Sequence, residues 1–215
     1  MNDSLGIVAA LLIGMIGLVA YAVGSLSSGY LVGKLYRNVD LRRVGSGSTG
    51  ATNTFRNLGP GAGVLVALLD VLKGAAAVWI ARQIVPAGSG LAPVADAVAA
   101  IGAVVGHCWP AFLEGRGGRG VATGFGAFLF IATSAWAAAV IAFVLGMAFT
   151  RMVSVASLAS VAGALAGYLV LTWLGLATFH PATLVFVLVA GGIIVWRHRP
   201  NIERIMRGAE PRVLS

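Results

Sequence analysis

Two glycine-rich stretches contain the side chains of this sequence that are best suited to bind an anion. The first reads GSGSTG over residues 45–50, and the second reads GRGGRG over residues 115–120. Glycine lets backbone N–H groups approach an anion closely, hydroxyl groups add donors, and arginine binds phosphate through a bidentate fork. The side-chain donors in and just after these stretches are Ser46, Ser48, Thr49, Thr52, Arg56, Arg116 and Arg119. We predict that the two loops together hold two phosphates; the alternative is a pair of ordinary basic loops with glycine turns.

Both stretches also fit G-x-G-x-x-G, the pattern of dinucleotide-binding sites, and Asp70 follows the first at about the distance of the ribose-binding acid. Such a site requires a strand before the glycines and a βαβ unit around them. Here the preceding segment is long and apolar, and Asp70 lies inside the next apolar segment. Because the chain contains 30 glycines, chance matches are frequent. A dinucleotide-binding enzyme is therefore not favoured.

Three polar residues in the apolar segments are possible supports of the site. Asp70 and Lys73 are three residues apart, so on a helix they share a face and can pair. Charges at membrane depth are costly and usually functional, and the alternative is a structural ion pair that fixes helix packing. His107 lies near the inner end of the third apolar segment. It is equally compatible with a ligand and with a hydrogen-bonded helix end.

A second group of polar residues follows in the last third of the chain. Ser154 comes shortly after Arg151, and His198 and Asn201 are three residues apart, with Pro200 able to break the helix between them. Histidine titrates near neutrality, and asparagine can hold an oxyanion or a hydroxyl group. The alternative is a basic membrane anchor with incidental polar groups.

The composition is that of a membrane protein. Of the 215 residues, 59% are hydrophobic and only 10% are charged, whereas a soluble domain carries about 25% charged residues. The net charge of +8 therefore indicates basic cytoplasmic loops and anionic lipid or substrate rather than nucleic acid. The single cysteine, Cys108, excludes an internal disulfide.

The apolar runs cover residues 5–33, 61–81, 91–113, 121–149 and 152–196, the first of which we interpret as a retained helix. Almost all basic residues fall between these runs or in the tail, on what must be one side of the membrane, the cytoplasm. Arg82 and the turn at 83–92 lie outside. We predict an all-α bundle of seven spans in a single domain, residues 1–215, with the N-terminus outside and the C-terminus in the cytoplasm.

The basic segments before and after the run 121–149 lie on the same side of the membrane, so the chain must cross it an even number of times between them. This run must therefore contain two helices. At 1.5 Å per residue this run is too short for two full crossings of a ~30 Å core. We predict a short or broken helix pair that meets near Ala132–Ala135. The run 152–196 is long enough for two full helices, with a turn at residues 178–181.

Five ordered motifs resemble the bacterial integral-membrane acyl-phosphate:glycerol-3-phosphate acyltransferases, over nearly the whole chain. They are VGSGSTGATNTFRNLG (44–59), LLDVLKG (68–74), GHCWPAFLEGRGGRGVAT (106–123), RMVSVAS (151–157) and RHRPNIERI (197–205). The resemblance implies transfer of a fatty acyl chain from acyl phosphate to the sn-1 hydroxyl of glycerol 3-phosphate, giving lysophosphatidic acid and phosphate, the first step of phospholipid synthesis. It also implies seven helices and an active site at the cytoplasmic face of the inner membrane.

The resemblance assigns roles to particular residues. The polar and phosphate-binding positions are Ser46, Ser48, Thr52, Arg56, Gly117, Gly118, Arg119 and Gly120. The substrate-positioning or catalytic positions are Ser154, His198 and Asn201. Two positions depart from the family pattern, since Arg119 replaces the usual lysine of the second loop and Ser48 stands where asparagine is common.

An acyl phosphate is a mixed anhydride with a good leaving group, so the glycerol hydroxyl can attack it directly, with His198 or the donor's own phosphate as the base. No metal or other cofactor is expected. The expected partners are acyl phosphate, glycerol 3-phosphate and membrane lipid, and the oligomeric state stays open, a monomer being compatible. The rival interpretations are a transporter for a phosphorylated anion and a scaffold subunit without activity.

Overall fold

The computed structural model describes residues 3–85 and 88–213, and within these ranges the chain forms helices and no strands. It divides into two compact units, one up to Ile131 and the other from Ala132. The predicted outer turn at 83–92 is described only in part, because residues 86 and 87 lie outside the described ranges. Whether the chain is one functional domain stays a prediction.

Within its described ranges, 3–85 and 88–131, the first unit contains six α-helices. They are α1 (Asp3–Ser25), α2 (Ser28–Arg37), α3 (Ala51–Leu58), α4 (Pro60–Ile84), α5 (Ala92–Cys108) and α6 (Val121–Ile131). Two short 3-10 helices, Leu41–Arg43 and Ala111–Leu113, precede the two glycine-rich loops. Helix α4 begins at Pro60, where the missing N–H costs nothing and the fixed φ suits the first turn.

Glycine allows the helices of the first unit to pack backbone to backbone. A Cβ on Gly24 of α1 would fall on the carbonyl oxygen of Ala103 in α5, and one on Gly106 would fall on that of Tyr21. Helix α6 approaches α4 in the same way, because a Cβ on Gly126 would fall on the carbonyl oxygen of Val71. Small residues at such contacts are typical of helix association in lipid, where close van der Waals packing replaces the hydrophobic driving force.

The second unit, described as far as residue 213, contains four helices: α7 (Thr133–Thr150), α8 (Val153–Trp173), α9 (Pro181–Arg197) and α10 (Arg199–Met206). Helices α7 and α8 form a hairpin around Arg151, whose φ of 56° is left-handed. Alanines of α7 pack against Gly163 and Gly167 of α8. Helices α9 and α10 meet at an angle of 58°. The predicted interruption near Pro200 is therefore confirmed, but it lies at His198, because Pro200 is accommodated in the first turn of α10.

Among the residues that the structure describes, five helical segments are long and apolar enough to cross a membrane, and the bent pair α9–α10 would be a sixth. They are Ser4–Arg37, Pro60–Ile84, Ala92–Leu113, Thr133–Thr150 and Val153–Trp173. Helix α6 has only 11 residues and rises about 16 Å, which is less than a membrane core. The number of seven crossings and the orientation of the termini therefore stay predictions.

Two expectations about the helices need correction. The break in the run 121–149 is confirmed at Ala132, but only α6 is short, because α7 has 18 residues. The first run, 5–33, forms two helices rather than one, with the interruption at Leu26–Ser27. The reason is a hydrogen bond from outside the helix. The Leu26 carbonyl oxygen accepts a hydrogen bond from the Lys73 ammonium group at 2.9 Å instead of one from a backbone N–H of a continuing helix.

Because the α4–α6 contact leaves no space for a side chain, we expect Gly126→Ala to destabilise the protein. Overpacking costs about 1–3 kcal/mol, which would lower the melting temperature of the detergent-solubilised protein. The matched control is Gly192→Ala in α9, where a Cβ meets nothing within 4 Å and alanine is intrinsically favoured over glycine in a helix. Equal melting temperatures for the two variants would contradict this packing.

Candidate active site

The first glycine-rich loop is shaped by one buried amide, that of Asn53 in α3. Its nitrogen donates to the carbonyl oxygens of Leu41, Val44 and Ser48 at 3.1, 3.1 and 2.8 Å, and its oxygen accepts from the Ser46 backbone N–H at 3.0 Å. Left-handed φ angles at two glycines, 58° at residue 45 and 70° at residue 47, let the chain turn around this amide. The loop is therefore preformed by the fold.

The predicted ligands of the first loop lie at its surface. Ser46 and Arg56 are exposed, while Ser48 and Thr52 are half-buried. Thr52 and Arg56 are four residues apart in α3 and so share one helix face. The Ser48 hydroxyl accepts a hydrogen bond from the Gly50 backbone N–H at 3.3 Å. The loop and the helix α3 that follows it thus carry hydroxyl groups and a guanidinium group that are at least partly accessible.

An ion pair fixes the approach to this loop. The Arg42 guanidinium donates to the Asp40 carboxylate at 2.8 Å, and the Arg42 backbone N–H donates to it at 3.0 Å. Hydrogen bonding to Arg42 lowers the pKa of Asp40 to about 2. The pKa of Arg42 is raised by Asp40 and, more weakly, by the charge of Glu114, which immediately precedes the second loop. The two glycine-rich loops therefore lie on the same side of the first unit.

The second loop rests on the end of α5. The Gly118 backbone N–H donates to the His107 carbonyl oxygen at 3.0 Å. A Cβ on Gly118 would fall on Nε2 of the His107 ring, and one on Gly117 would fall on the His107 carbonyl oxygen. Left-handed φ angles of 72° at Gly115 and 86° at Gly120 begin and end the loop. Glycine is therefore required at 117 and 118 by the contact with His107, and Arg119 follows half-buried at the loop tip.

The predicted pair of Asp70 and Lys73 is confirmed as a contact and is nearly buried. The Lys73 ammonium group lies 2.8 Å from the Asp70 carboxylate, and their side chains are 7% and 2% exposed. The same carboxylate oxygen accepts a hydrogen bond from the Ser28 hydroxyl at 2.9 Å and lies 3.5 Å from Nδ1 of His107. The pair therefore contacts the start of α2 and the end of α5.

The second unit brings together the other predicted residues. Ser154, His198 and Asn201 are buried, at 2%, 1% and 2% exposure. Nδ1 of His198 lies 2.8 Å from the Ile194 carbonyl oxygen. Because a carbonyl can only accept a hydrogen bond, Nδ1 is the donor in this contact, and Nε2 is the basic nitrogen whenever the ring is neutral.

A carboxylate not anticipated from the sequence ties this second group together. Glu210 accepts hydrogen bonds from the Asn201 amide at 2.6 Å and from Nε of Arg204 at 2.7 Å. Burial acts to raise the pKa of Glu210, but the hydrogen bonds from Asn201 and Arg204 and the nearby Ser154 hydroxyl outweigh it and hold the pKa below its usual value. The tail is also fixed by a bond from the Val213 N–H to the Arg151 carbonyl oxygen at 2.8 Å.

The hydrogen bond to Glu210 orients the amide of Asn201. Its nitrogen is occupied by Glu210, and within residues 3–85 and 88–213 its buried oxygen has no hydrogen-bond partner. A buried acceptor without a partner is uncommon and suits a bound hydroxyl group. The nearby Ser157 differs, because its hydroxyl donates to the Val153 carbonyl oxygen within α8 at 2.7 Å.

Two residues of the site were missed in the sequence because their roles depend on contacts distant in the chain. Asn53 belongs to the GATN segment, where its position one helical turn before Asn57 gives no indication of bonds to residues 41–48. Glu210 lies beyond the last motif, in a polar tail. Across the described part of the chain, no three or more His, Cys, Asp or Glu side chains are grouped as metal ligands.

Comparison with known proteins agrees with this architecture. A sequence model of the family described as glycerol-3-phosphate acyltransferase matches residues 14–208. The glycerol-3-phosphate acyltransferase of Parasynechococcus marenigrum (strain WH8102) is 42% identical over 207 residues, covering 96% of this chain and 91% of the relative. That of Gloeobacter violaceus is 43% identical over 198 residues, covering 90% and 91%.

Two solved structures are also similar. Both are of PlsY (YgiH), an integral membrane glycerol 3-phosphate acyltransferase. The glycerol 3-phosphate form has a TM-score of 0.82 and 34% identity, covering 94% of this chain and 95% of that chain. The lysophosphatidic acid form has a TM-score of 0.80 and 33% identity, covering 93% and 94%. Together with its apolar helices, this similarity makes the chain a multi-pass membrane protein, and its sequence places it in the glycerol-3-phosphate acyltransferase family.

Proposed function

We propose that this protein transfers a fatty acyl chain from acyl phosphate to the sn-1 hydroxyl of glycerol 3-phosphate. The observation that carries the proposal is the similarity over 94% of the chain to a relative solved with glycerol 3-phosphate. A second form of that relative contains lysophosphatidic acid, which is glycerol 3-phosphate after a single acylation. The two forms thus correspond to an acceptor and its product.

The two glycine-rich loops suit two phosphates. In this proposal Arg119 and the backbone N–H groups of the Gly117–Gly120 turn bind the acyl phosphate, except that of Gly118, which donates to the His107 carbonyl oxygen and fixes the turn. Arg56, with Ser46, Ser48 and Thr52, binds glycerol 3-phosphate. Oriented N–H groups and guanidinium groups stabilise phosphate oxygens without a metal ion, and they are preorganised here because Asn53 and His107 hold the loops in place.

The second group of residues suits the reacting hydroxyl. We assign Asn201 to hold the acceptor hydroxyl, because its buried amide oxygen has no other hydrogen bond in the described part of the chain. Ser154 and His198 lie beside it in the same unit. Glu210 acts as a positioning residue in this assignment, because it fixes the amide of Asn201 from the other side.

The proposed step is a direct displacement. The hydroxyl oxygen forms a bond to the carbonyl carbon of the acyl phosphate, and the bond from that carbon to the phosphate oxygen breaks. The leaving phosphate takes the electron pair, and the hydroxyl proton passes to the phosphate in the substrate-assisted route, or to Nε2 of His198 in the alternative. We favour the first route, because positioning and charge neutralisation supply much of the rate when the leaving group is already good.

We further propose that the glycine-rich loops and the Ser154–His198–Asn201 group act at the cytoplasmic face of the bacterial inner membrane. In this orientation the N-terminus lies outside and the C-terminus inside. The support is the distribution of charge: the glycine-rich loops, Arg151 and the tail after α9 contain nearly all the basic residues. The acyl chain would then lie in an apolar groove between helices, while both phosphates stay at the membrane surface.

The first experiment is acyl transfer by the purified, detergent-solubilised protein with palmitoyl phosphate and labelled glycerol 3-phosphate. We expect labelled lysophosphatidic acid with matching release of phosphate. Arg119→Ala should lower kcat/KM on the order of 100-fold, because a charge-assisted phosphate contact is lost. The matched control, Arg37→Ala, removes an exposed arginine at the end of α2 and should change little.

No product from folded protein with acyl phosphate, acyl-carrier or coenzyme A thioester donors would contradict acyl transfer and direct attention to anion uptake by sealed vesicles. Product from thioesters alone would contradict the assignment of the donor.

The substitution His198→Asn tests the identity of the base. In the substrate-assisted route we expect kcat to fall on the order of 10–100-fold through lost positioning, while the pH at which the rate rises stays unchanged, because a phosphate titrates there. General-base catalysis by His198 predicts instead that kcat falls about 10²–10⁴-fold and that the rise of the rate with pH disappears. The pH–rate profiles of both proteins distinguish the two routes.

Removal of the Glu210 carboxylate should lower the stability of the folded protein in a pH-dependent way. Because its pKa in the folded protein is below the usual value of 4.5, its stabilising contribution is complete above pH 4.5 and is lost as the pH falls through the lower folded-state value. We expect Glu210→Ala to lower the melting temperature at pH 7 and to show a smaller further loss on acidification than the parent protein. Glu203→Ala, an exposed carboxylate of α10, is the control. Identical pH dependence of the parent and Glu210→Ala proteins would contradict this contribution.

A further inference from the structure

A buried polar cluster beneath the second glycine-rich loop has no place in the proposed reaction. It consists of Ser28, Asp70, Lys73 and His107, and we call it the Asp70 cluster. All four side chains are buried in an otherwise apolar helix bundle. Charged groups in such a place are costly to desolvate, so they are retained where they serve a function. None of the four side chains is among the phosphate donors at the loop surface.

The contacts of the Asp70 cluster lead directly to the loop. One oxygen of Asp70 is shared by Lys73 at 2.8 Å, Ser28 at 2.9 Å and Nδ1 of His107 at 3.5 Å. On its other edge the His107 ring fills the space where Gly118 would have a side chain, and the His107 carbonyl accepts the Gly118 N–H. The orientation of one imidazole ring is therefore coupled to both the carboxylate and the loop backbone.

The same turn of α4 supports the far end of the loop. A Cβ on Gly74, the residue after Lys73, would fall on the carbonyl oxygen of Thr123 in the first turn of α6. The loop of residues 115–120 is thus held in its middle by His107, and the first turn of α6 that follows it is held at Thr123. Both supports rest on residues 70–74 of α4, which is the LLDVLKG motif.

The Asp70 cluster also reaches the first loop. The Lys73 ammonium group donates to the Leu26 carbonyl at the α1–α2 interruption. Next to Ser28, Gly29 leaves no space for a side chain against the Thr49 carbonyl oxygen of the first loop. A change at Asp70 therefore reaches the backbones of both loops through one layer of contacts.

We infer that Asp70 and His107 are positioning residues for the phosphate-binding loop: the carboxylate orients the imidazole ring, and the ring sets the backbone of Gly117 and Gly118. Lys73 neutralises the carboxylate, and Ser28 fixes its rotamer. This inference rests on the proposed function, because it assumes that the loop of residues 115–120 binds a substrate phosphate. Partners that orient a binding group from behind typically change affinity about 10–100-fold when they are removed from metal sites, which is the closest measured analogy.

The test compares three changes in the Asp70 cluster: Asp70→Asn, His107→Gln and the neutral double variant Asp70→Asn with Lys73→Met. We expect each change to raise the KM for acyl phosphate on the order of 10-fold, as Arg119→Ala does. The kcat and the KM for glycerol 3-phosphate should change less. The Asp70→Asn and His107→Gln effects should not add when combined, because both act through the same ring.

The double variant separates positioning from stability. Loss of Asp70 alone leaves the Lys73 charge buried and unpaired, which is destabilising, whereas the double variant removes both charges. We expect it to regain melting temperature but to keep the raised KM. Asp96→Asn is the matched control, because it breaks the other ion pair between α4 and α5, Arg82–Asp96 at 2.7 Å, without contacting the loop.

A second measurement does not require activity. Hydrogen exchange at the backbone amides of residues 117–120 should become on the order of 10-fold faster in Asp70→Asn and His107→Gln, and should be unchanged in Asp96→Asn. Unchanged exchange in both cluster variants, recovery of the parental KM by the double variant, or equal rises in both KM values would overturn the inference. If the parent protein makes no lysophosphatidic acid, the proposed function fails, and the exchange measurement still decides whether Asp70 positions the loop.

Discussion

The burial of one carboxylate in an apolar helix bundle is the constraint on which most of the first unit depends. Asp70 must keep an ammonium group, a hydroxyl group and an imidazole ring around it, since an unpaired charge there would cost several kcal/mol. These partners come from α2, α4 and α5, so satisfying the charge also fixes the relative positions of three helices. The interruption of the first helix follows from the same requirement, because Lys73 needs the Leu26 carbonyl.

Glycine plays a complementary role to this charge. At Gly24, Gly106 and Gly126 the absence of a side chain lets helices approach closely, and at Gly118 it lets an imidazole ring contact the loop backbone. The loops can therefore use backbone N–H groups as ligands while their shape is determined from beneath. In this arrangement the groups that would contact phosphate are distinct from the groups that determine where those contacts are.

The sequence predicted the helical class, the break at Ala132 and the Asp70–Lys73 contact, because hydropathy, parity and helical spacing are local properties. It did not predict the interruption at Leu26 or the length of α7, since tertiary hydrogen bonds and packing decide where a long apolar run stops being helical. Asn53 and Glu210 were missed for a related reason. Each acts through partners far from it in sequence or across a turn, and nothing in its own neighbourhood indicates them.

The position of Glu210 has a consequence for biosynthesis. The carboxylate that orients Asn201 follows α10, so it is the last member of this group to be synthesised. During that interval the amide of Asn201 and the guanidinium group of Arg204 lack the partner that they have in the finished fold. The order of translation thereby delays completion of the Ser154–His198–Asn201 group until the segment after α10 has been made, so a chain that stops before this segment has the three side chains without the carboxylate that orients them.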